Sequence, residues 1–227
     1  MLSREDQKRI ADAVTAAEEK TDGEITCVLA QEVSNYREVP LGWAALAALG
    51  LPPLLVLAGL ERLALADIFT SWTDESLRAV EALTLRVLSA YSLLQAALFV
   101  AVALVVALPA VRRVMTPGVL KRHRVRMVAH HHFAASGYRL EQGVPHILIF
   151  ASLKDRRVEL VAHKAIHDTV GQGLWDEAVA AVTDGMKTGK PADGFVRAIG
   201  LCGDAMAKHF PVTGPKTNRM PNEIWEQ

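Results

Sequence analysis

LGWAALAALGLPPLLVLAGL, residues 41–60, and VLSAYSLLQAALFVAVALVVALPAV, residues 87–111, carry no charged side chain, and each is long enough to cross a bilayer as a helix. At a rise of about 1.5 Å per residue, about 20 apolar residues match a hydrocarbon core roughly 30 Å thick. Two spans are therefore expected. An even number of crossings returns the chain to the side it started from, so the polar segments before Leu41 and after Val111 share one compartment and can fold together.

The composition is that of a mixed soluble and membrane chain rather than a pure transporter. Charged residues make up 22% of the chain and apolar ones 51%, with 25 acidic side chains against 25 basic ones. Such a balance provides no global field for nucleic acid, and no nucleic-acid partner is expected. Outside the hairpin, about 40 residues in front and about 115 behind amount to one ordinary domain. The division read from the sequence is 1–40 as the first half of that domain, 41–60 as the first span, and 61–86 as an extracytoplasmic loop. The second span follows at 87–111, the second half of the domain at 112–213, and a C-terminal tail at 214–227.

The polar run Ser3 to Lys20 precedes any apolar core, so a cleavable signal peptide is not expected, and the first span would itself direct insertion. Orientation follows the basic residues beside the spans. Arg112, Arg113, Lys121, Arg122, Arg124 and Arg126 follow the second span. The intervening loop carries Arg62, Arg78 and Arg86, offset by Glu61, Asp67, Asp74, Glu75 and Glu81. Both termini and the soluble domain are therefore expected in the cytoplasm of a bacterial inner-membrane protein, with the basic cluster against anionic lipid headgroups, each charge contributing about 1 kcal/mol near the surface. Trp43, Tyr91, Phe69 and Trp72 suit the interfacial belt. No ionisable group lies within either span, as a proton or ion pathway would require. Pro52 and Pro53 should kink the first span. Small residues such as Ala44, Ala48, Ala97 and Ala101 permit close helix contact and a homo-oligomer through the hairpin.

In the polar segments, Ser3 with Asp6 resembles a capping box, and Ile10, Ala13, Val14 and Ala17 recur at helical spacing. Asp22 and Gly23 are expected to end that helix, with Gly23 in the left-handed conformation. Glu24 to Val33 reads as an interior strand, apolar on both faces, whose partners must come from beyond the second span. His146–Ser152 and Val158–His163 form a hairpin in outline around Leu153–Arg157. Val119–Ala135 reads as a helix, and two more follow on the stripes Trp175, Val179, Val182, Met186 and Phe195, Ile199, Cys202, Met206. The expected fold class is α/β: a small sheet of three or more strands flanked by helices and split in sequence by a two-helix transmembrane hairpin. Cys27 and Cys202 read as buried, unpaired thiols.

These residues carry a resemblance. Leu2 to Val33, with Thr21-Asp22-Gly23-Glu24-Ile25 opening the strand, is similar to the first half of the TPM domain, a small α/β module of thylakoid-lumen and bacterial membrane proteins. Gly143 to Ser152, Arg156 to Ala162, Trp175, Gly194-Phe195 and His209-Phe210-Pro211 resemble its second half, and Asn218 with Pro221 to Ile224 resembles the tail of members split by a membrane hairpin. The resemblance implies a TPM-like fold. It also implies a link to phosphatase activity with calcium or magnesium, although His163 stands where similar sequences often carry Asp, which removes a carboxylate from that site.

Candidate chemistry is otherwise sparse. Metal-dependent phosphoryl chemistry needs oxygen ligands converging on one point, for which Asp155, Asp168 and Asp176 are the candidates. Asp at element boundaries more commonly caps helices and turns. Arg156 and Arg157 could hold a phosphate or other anion, and His163 with His167 has a spacing that suits a metal only on a helix. His130, His131 and His132 are adjacent and would point in different directions. No GxSxG, Walker or Rossmann glycine pattern is present, and Gly171-Gln172-Gly173 is too short for a phosphate cradle on its own. The reading that follows is a membrane-anchored, non-catalytic module that binds or modulates a membrane-associated protein, with no cofactor expected. The alternatives are a phosphatase-like hydrolase at the cytoplasmic face and a small channel or transporter subunit.

Overall fold

Ser3 opens the first helix, its hydroxyl accepting from the Asp6 amide at 3.0 Å and satisfying one of the orphan donors of the first turn. Helix α1 (Arg4–Glu18) buries Ile10, Val14 and Ala17, and strand β1 (Glu24–Ala30) is buried along its whole length. The computed structural model describes residues 2–58, 77–138, 140, 143–214 and 218–227. These divide into two compact units, one formed by residues 1–35 with 118–227 and the other by residues 36–117.

The second unit contains α2 (Glu38–Leu57), α3 (Leu77–Ala107) and α4 (Pro109–Met115). Two helical stretches, Glu38–Leu55 and Leu88–Ala107, are long and apolar enough to cross a membrane. The second expected span, drawn to Val111, is interrupted: α3 ends at Ala107, and α4 begins at Pro109 because proline has no amide to continue the α3 ladder. Of the expected loop 61–86, residues 61–76 lie outside the described residues, Phe69 and Trp72 with them, whereas 77–86 belong to α3, which begins ten residues before the expected second span.

Pro52 and Pro53 lie inside a continuous α2. Pro52 cannot donate to the Ala48 carbonyl, and the Gln95 side-chain amide of α3 donates to that oxygen instead, at 3.2 Å. This is how an apolar helix pair accommodates proline without leaving a backbone acceptor orphaned. Ala44 and Ala48 are buried, whereas Leu46, Leu49, Leu93 and Leu104 are at least 65% exposed.

The first unit continues with α5 (Gly118–Gly137), β2 (His146–Ser152), β3 (Arg157–Ala162), α6 (Lys164–Thr169), α7 (Gln172–Lys187), α8 (Pro191–His209) and β4 (Trp225–Glu226). The sheet order is β3-β2-β1-β4. Strand β1 pairs with β2 in parallel, Glu24 opposite His146 through Ala30 opposite Ser152, and β3 returns antiparallel to β2. The C-terminal tail is not separate from the sheet. Trp225 and Glu226 add a parallel edge to β1, Glu226 accepts from the Leu2 amide at 2.6 Å, and Asn222 donates to Thr15 at 2.8 Å.

The main core lies on one face. Ile25, Cys27, Leu29, Ile147, Ile149 and Ala151 from the sheet meet Ile10, Val14, Trp175, Phe195, Ile199 and Met206 from α1, α7 and α8. The stripe of α7 differs from the expected one. Ala178, Ala181 and Gly185 are buried, and Val179 is only partly so, because α7 approaches α8 closely: a Cβ on Gly185 would lie 2.8 Å from the Gly194 backbone. Gly23 also departs from expectation. It does not take the left-handed conformation, and α1 has already ended at Glu18. Its lack of a side chain instead makes room for Met206, whose sulfur would lie 2.8 Å from a Cβ there.

Candidate functional site

Residues of odd and even number in a strand face opposite ways. The even residues of β1 and β2, Glu24, Thr26, Val28 and Ala30 beside His146, Leu148, Phe150 and Ser152, therefore form a second face, which is part polar. Glu24, Thr26, His146 and Ser152 are all buried there. Helix α5 covers this face with Val125 and Ala129, and Phe133 packs at its edge.

Histidine dominates the α5 side. The His146 ring stacks on Phe133 at 4.0 Å and an interplanar angle of 13°, and the His163 ring centroid lies 6.0 Å from it. His132 stacks on Phe150 at 5.7 Å, and its Nε2 lies 3.2 Å from the Gln227 side-chain amide. Both nitrogens of His146 are buried without a hydrogen-bond partner. Burial holds His146 below the ordinary histidine value; the nearby carbonyls of Val144 and Phe133 oppose that shift, and a charged His163 would add to it. His132 is lowered as well, chiefly by burial, against the raising effect of Gln227.

The expected site residues are spread along the unit rather than gathered. Asp155 is buried in the β2–β3 turn, where Oδ2 accepts from the Ser152 hydroxyl at 2.6 Å and from the Val33 amide at 3.1 Å. Arg156 completes the turn with φ of 51°, a left-handed conformation that few non-glycine residues adopt, and its side chain is exposed. Arg157, one residue on, reaches toward the first turn of α5, where its guanidinium lies 3.5 Å from the place of a Cβ on Gly118. His163 caps α6, its Nδ1 accepting from the Ala165 amide at 3.3 Å, while His167 and Asp168 are exposed on the same short helix. Asp176 is exposed on α7 and accepts from Gln172 at 3.1 Å.

Among the described residues, no three His, Cys, Asp or Glu side chains gather to hold a metal ion. The basic residues assigned to lipid headgroups divide between the units. Arg112 and Arg113 belong to α4, whereas Lys121, Arg122, Arg124 and Arg126 belong to α5, where the exposed Arg126 lies 3.8 Å from the half-buried Glu159.

A separate cleft of about 500 Å³ lies between α7 and α8, floored by Val170, Leu174 and Leu201 and rimmed by Asp204, Lys208 and His209. Cys27 and Cys202 are buried free thiols. Burial pushes both up, Cys202 to about 12, so neither is a ready nucleophile.

No protein-family profile and no curated protein matches this chain. Among solved structures, the NMR structure of BA42 from the psychrophilic bacterium Bizionia argentinensis sp. nov. is similar, with a TM-score of 0.54 and 18% identity over 100% of this chain and 96% of that one. At that identity the likeness is one of fold.

Proposed function

We propose that this chain is a membrane-anchored, TPM-like module of the bacterial inner membrane that binds or modulates a membrane-associated protein and performs no catalysis of its own. The observation that carries the reading is the β1–β2 pairing. Seven parallel register positions join the segments on either side of the apolar unit 36–117. Both flanks of an inserted hairpin must then lie on one side of a bilayer, which two crossings satisfy and one does not. The basic residues of α4 and α5 favour the cytoplasmic side for both flanks. A non-catalytic role is supported by how the candidate acids are used: Asp155 supports a turn, Asp176 bonds within its own helix, and Asp168 is exposed on α6.

The full chain expressed in bacteria tests the reading. Retention in the membrane pellet after alkaline carbonate extraction, with a reporter after Gln227 active only in the cytoplasm, is the expected result. Release into the supernatant, or a reporter active only outside, overturns the topology. Purification in mild detergent should bring a membrane protein with it. Turnover of an aryl phosphate with calcium or magnesium that is lost in Asp155→Asn, Asp168→Asn or Asp176→Asn would move the reading to a hydrolase.

A further inference from the structure

We infer that His146 is a pH-sensitive latch: protonation of its ring releases α5 from the sheet and uncovers the face formed by Leu148 and Phe150. Four observations carry this. His146 is only 6% exposed, and neither ring nitrogen has a hydrogen-bond partner. One face of the imidazole is stacked on Phe133 of α5 at 4.0 Å. Its edge is closed by the last residue of the same helix, since a Cβ on Gly137 would lie 3.5 Å from Cε1 and 3.6 Å from Nε2. The residue that follows β3, His163, brings another imidazole beside it, with centroids 6.0 Å apart.

A neutral imidazole has one N–H and one lone pair. The imidazolium has two donors and a full charge. In the docked state the carbonyls of Val144 and Phe133 lie near the ring without forming a hydrogen bond to either nitrogen, and their pull is outweighed by burial, so the charged form is worse placed there than in water. Undocking α5 removes the Phe133 stack and the Gly137 backbone together and hydrates the ring. The grip being released is short: of the apolar residues of α5, Val125 and Ala129 are the ones fully buried.

The groups facing His146 are defined on every packed element. From β1, Glu24 is adjacent in register, buried, and has an interaction partner. From the residue after β3 comes His163, and from α5 comes Phe133, with His132 of the same helix stacked further along on Phe150. Further along the same face, Glu159 is paired with Arg126 at 3.8 Å.

The sign follows from linkage. With its docked value held low by burial, His146 takes up a proton first in the undocked state. Above about pH 6.5 both states are neutral and docking is at full strength; below it, each pH unit favours undocking by up to about tenfold per imidazole until the docked value is reached. The device does not depend on whether the hairpin crosses a bilayer.

Hydrogen exchange of the full chain in detergent at pH 7.5 and 5.5, corrected for intrinsic rates, tests the latch. Protection across Val125–Ser136 should fall about tenfold at pH 5.5 while α8 keeps its own, and His146→Phe, which preserves a ring against Phe133, should abolish the fall. Unchanged protection in α5, an equal fall in His146→Phe, or a rise in protection because Glu24 holds the imidazolium would each overturn the proposal. Should His146→Phe fail to fold, ring-nitrogen NMR of the unaltered chain decides it. A His146 midpoint below the ordinary histidine value supports the latch, and one at or above it overturns it.

Discussion

The two faces of the sheet are built on different principles. On one, Ile25, Cys27, Leu29, Ile147, Ile149 and Ala151 meet three helices in an apolar core. On the other, one helix covers a strip in which Glu24, Thr26, His146 and Ser152 are buried among Val28, Leu148 and Phe150. Apolar burial gains free energy with area and needs no partner geometry. A buried polar group gains little when satisfied and costs more when orphaned. The first face should therefore set the stability of the unit, and the second its sensitivity to conditions.

The most damaging single change on the apolar face is Phe195→Ala. Phe195 is fully buried on α8 and joins the helix layer to the strands. Its truncation should cost about 3–5 kcal/mol, as for other buried aromatics. Urea unfolding in detergent followed by circular dichroism measures it; a loss below about 1 kcal/mol would mean that this face is not the dominant core. Gly185→Ala sharpens the point from the opposite direction. The added methyl would sit 2.8 Å from both the Gly194 Cα and the Lys190 carbonyl oxygen. These are backbone atoms and cannot turn aside, so a net loss of about 1–3 kcal/mol is expected despite alanine's better helix propensity.

Legibility in the sequence followed the same division. The apolar face was readable because period and burial coincide: β2 was expected at His146–Ser152, where it lies, and the α8 stripe Phe195, Ile199, Cys202, Met206 is buried throughout. The α7 stripe was misread at Val179 because close helix approach selects small residues, and a hydropathy pattern favours large ones. Strand β4 left no trace, being two residues at the end of a polar tail whose pairing is imposed by β1. On the polar face, His146 read as an ordinary strand end and Glu24 as a strand start, because burial of a polar residue is a property of what covers it. The one signal available was the even-numbered alternation of Glu24, Thr26, His146 and Ser152, visible only once β1 and β2 are aligned in register. Gln95 was missed in a related way. Its significance depends on the Ala48 carbonyl, which Pro52 leaves without its usual donor.

The smallest expected effect lies where the polar face turns into the β2–β3 connection. Ser152 and Asp155 are both buried, and Asp155 Oδ2 receives the Ser152 hydroxyl and the Val33 amide. Ser152→Ala removes one hydrogen bond but leaves the carboxylate its Val33 donor, so about 1 kcal/mol should be lost. Asp155→Ala strands a hydroxyl and an amide together and should cost at the upper end of about 1–3 kcal/mol. Because Ser152 and Asp155 are the donor and acceptor of one bond, the double variant should be no worse than Asp155→Ala alone, a non-additivity that a double-mutant cycle in urea resolves. Additive losses would mean that Ser152 has another role on this face and that the turn is held by something other than Asp155. Equal losses for the two single variants would place the main support in the serine, and the contrast between the faces would then reduce to ordinary packing.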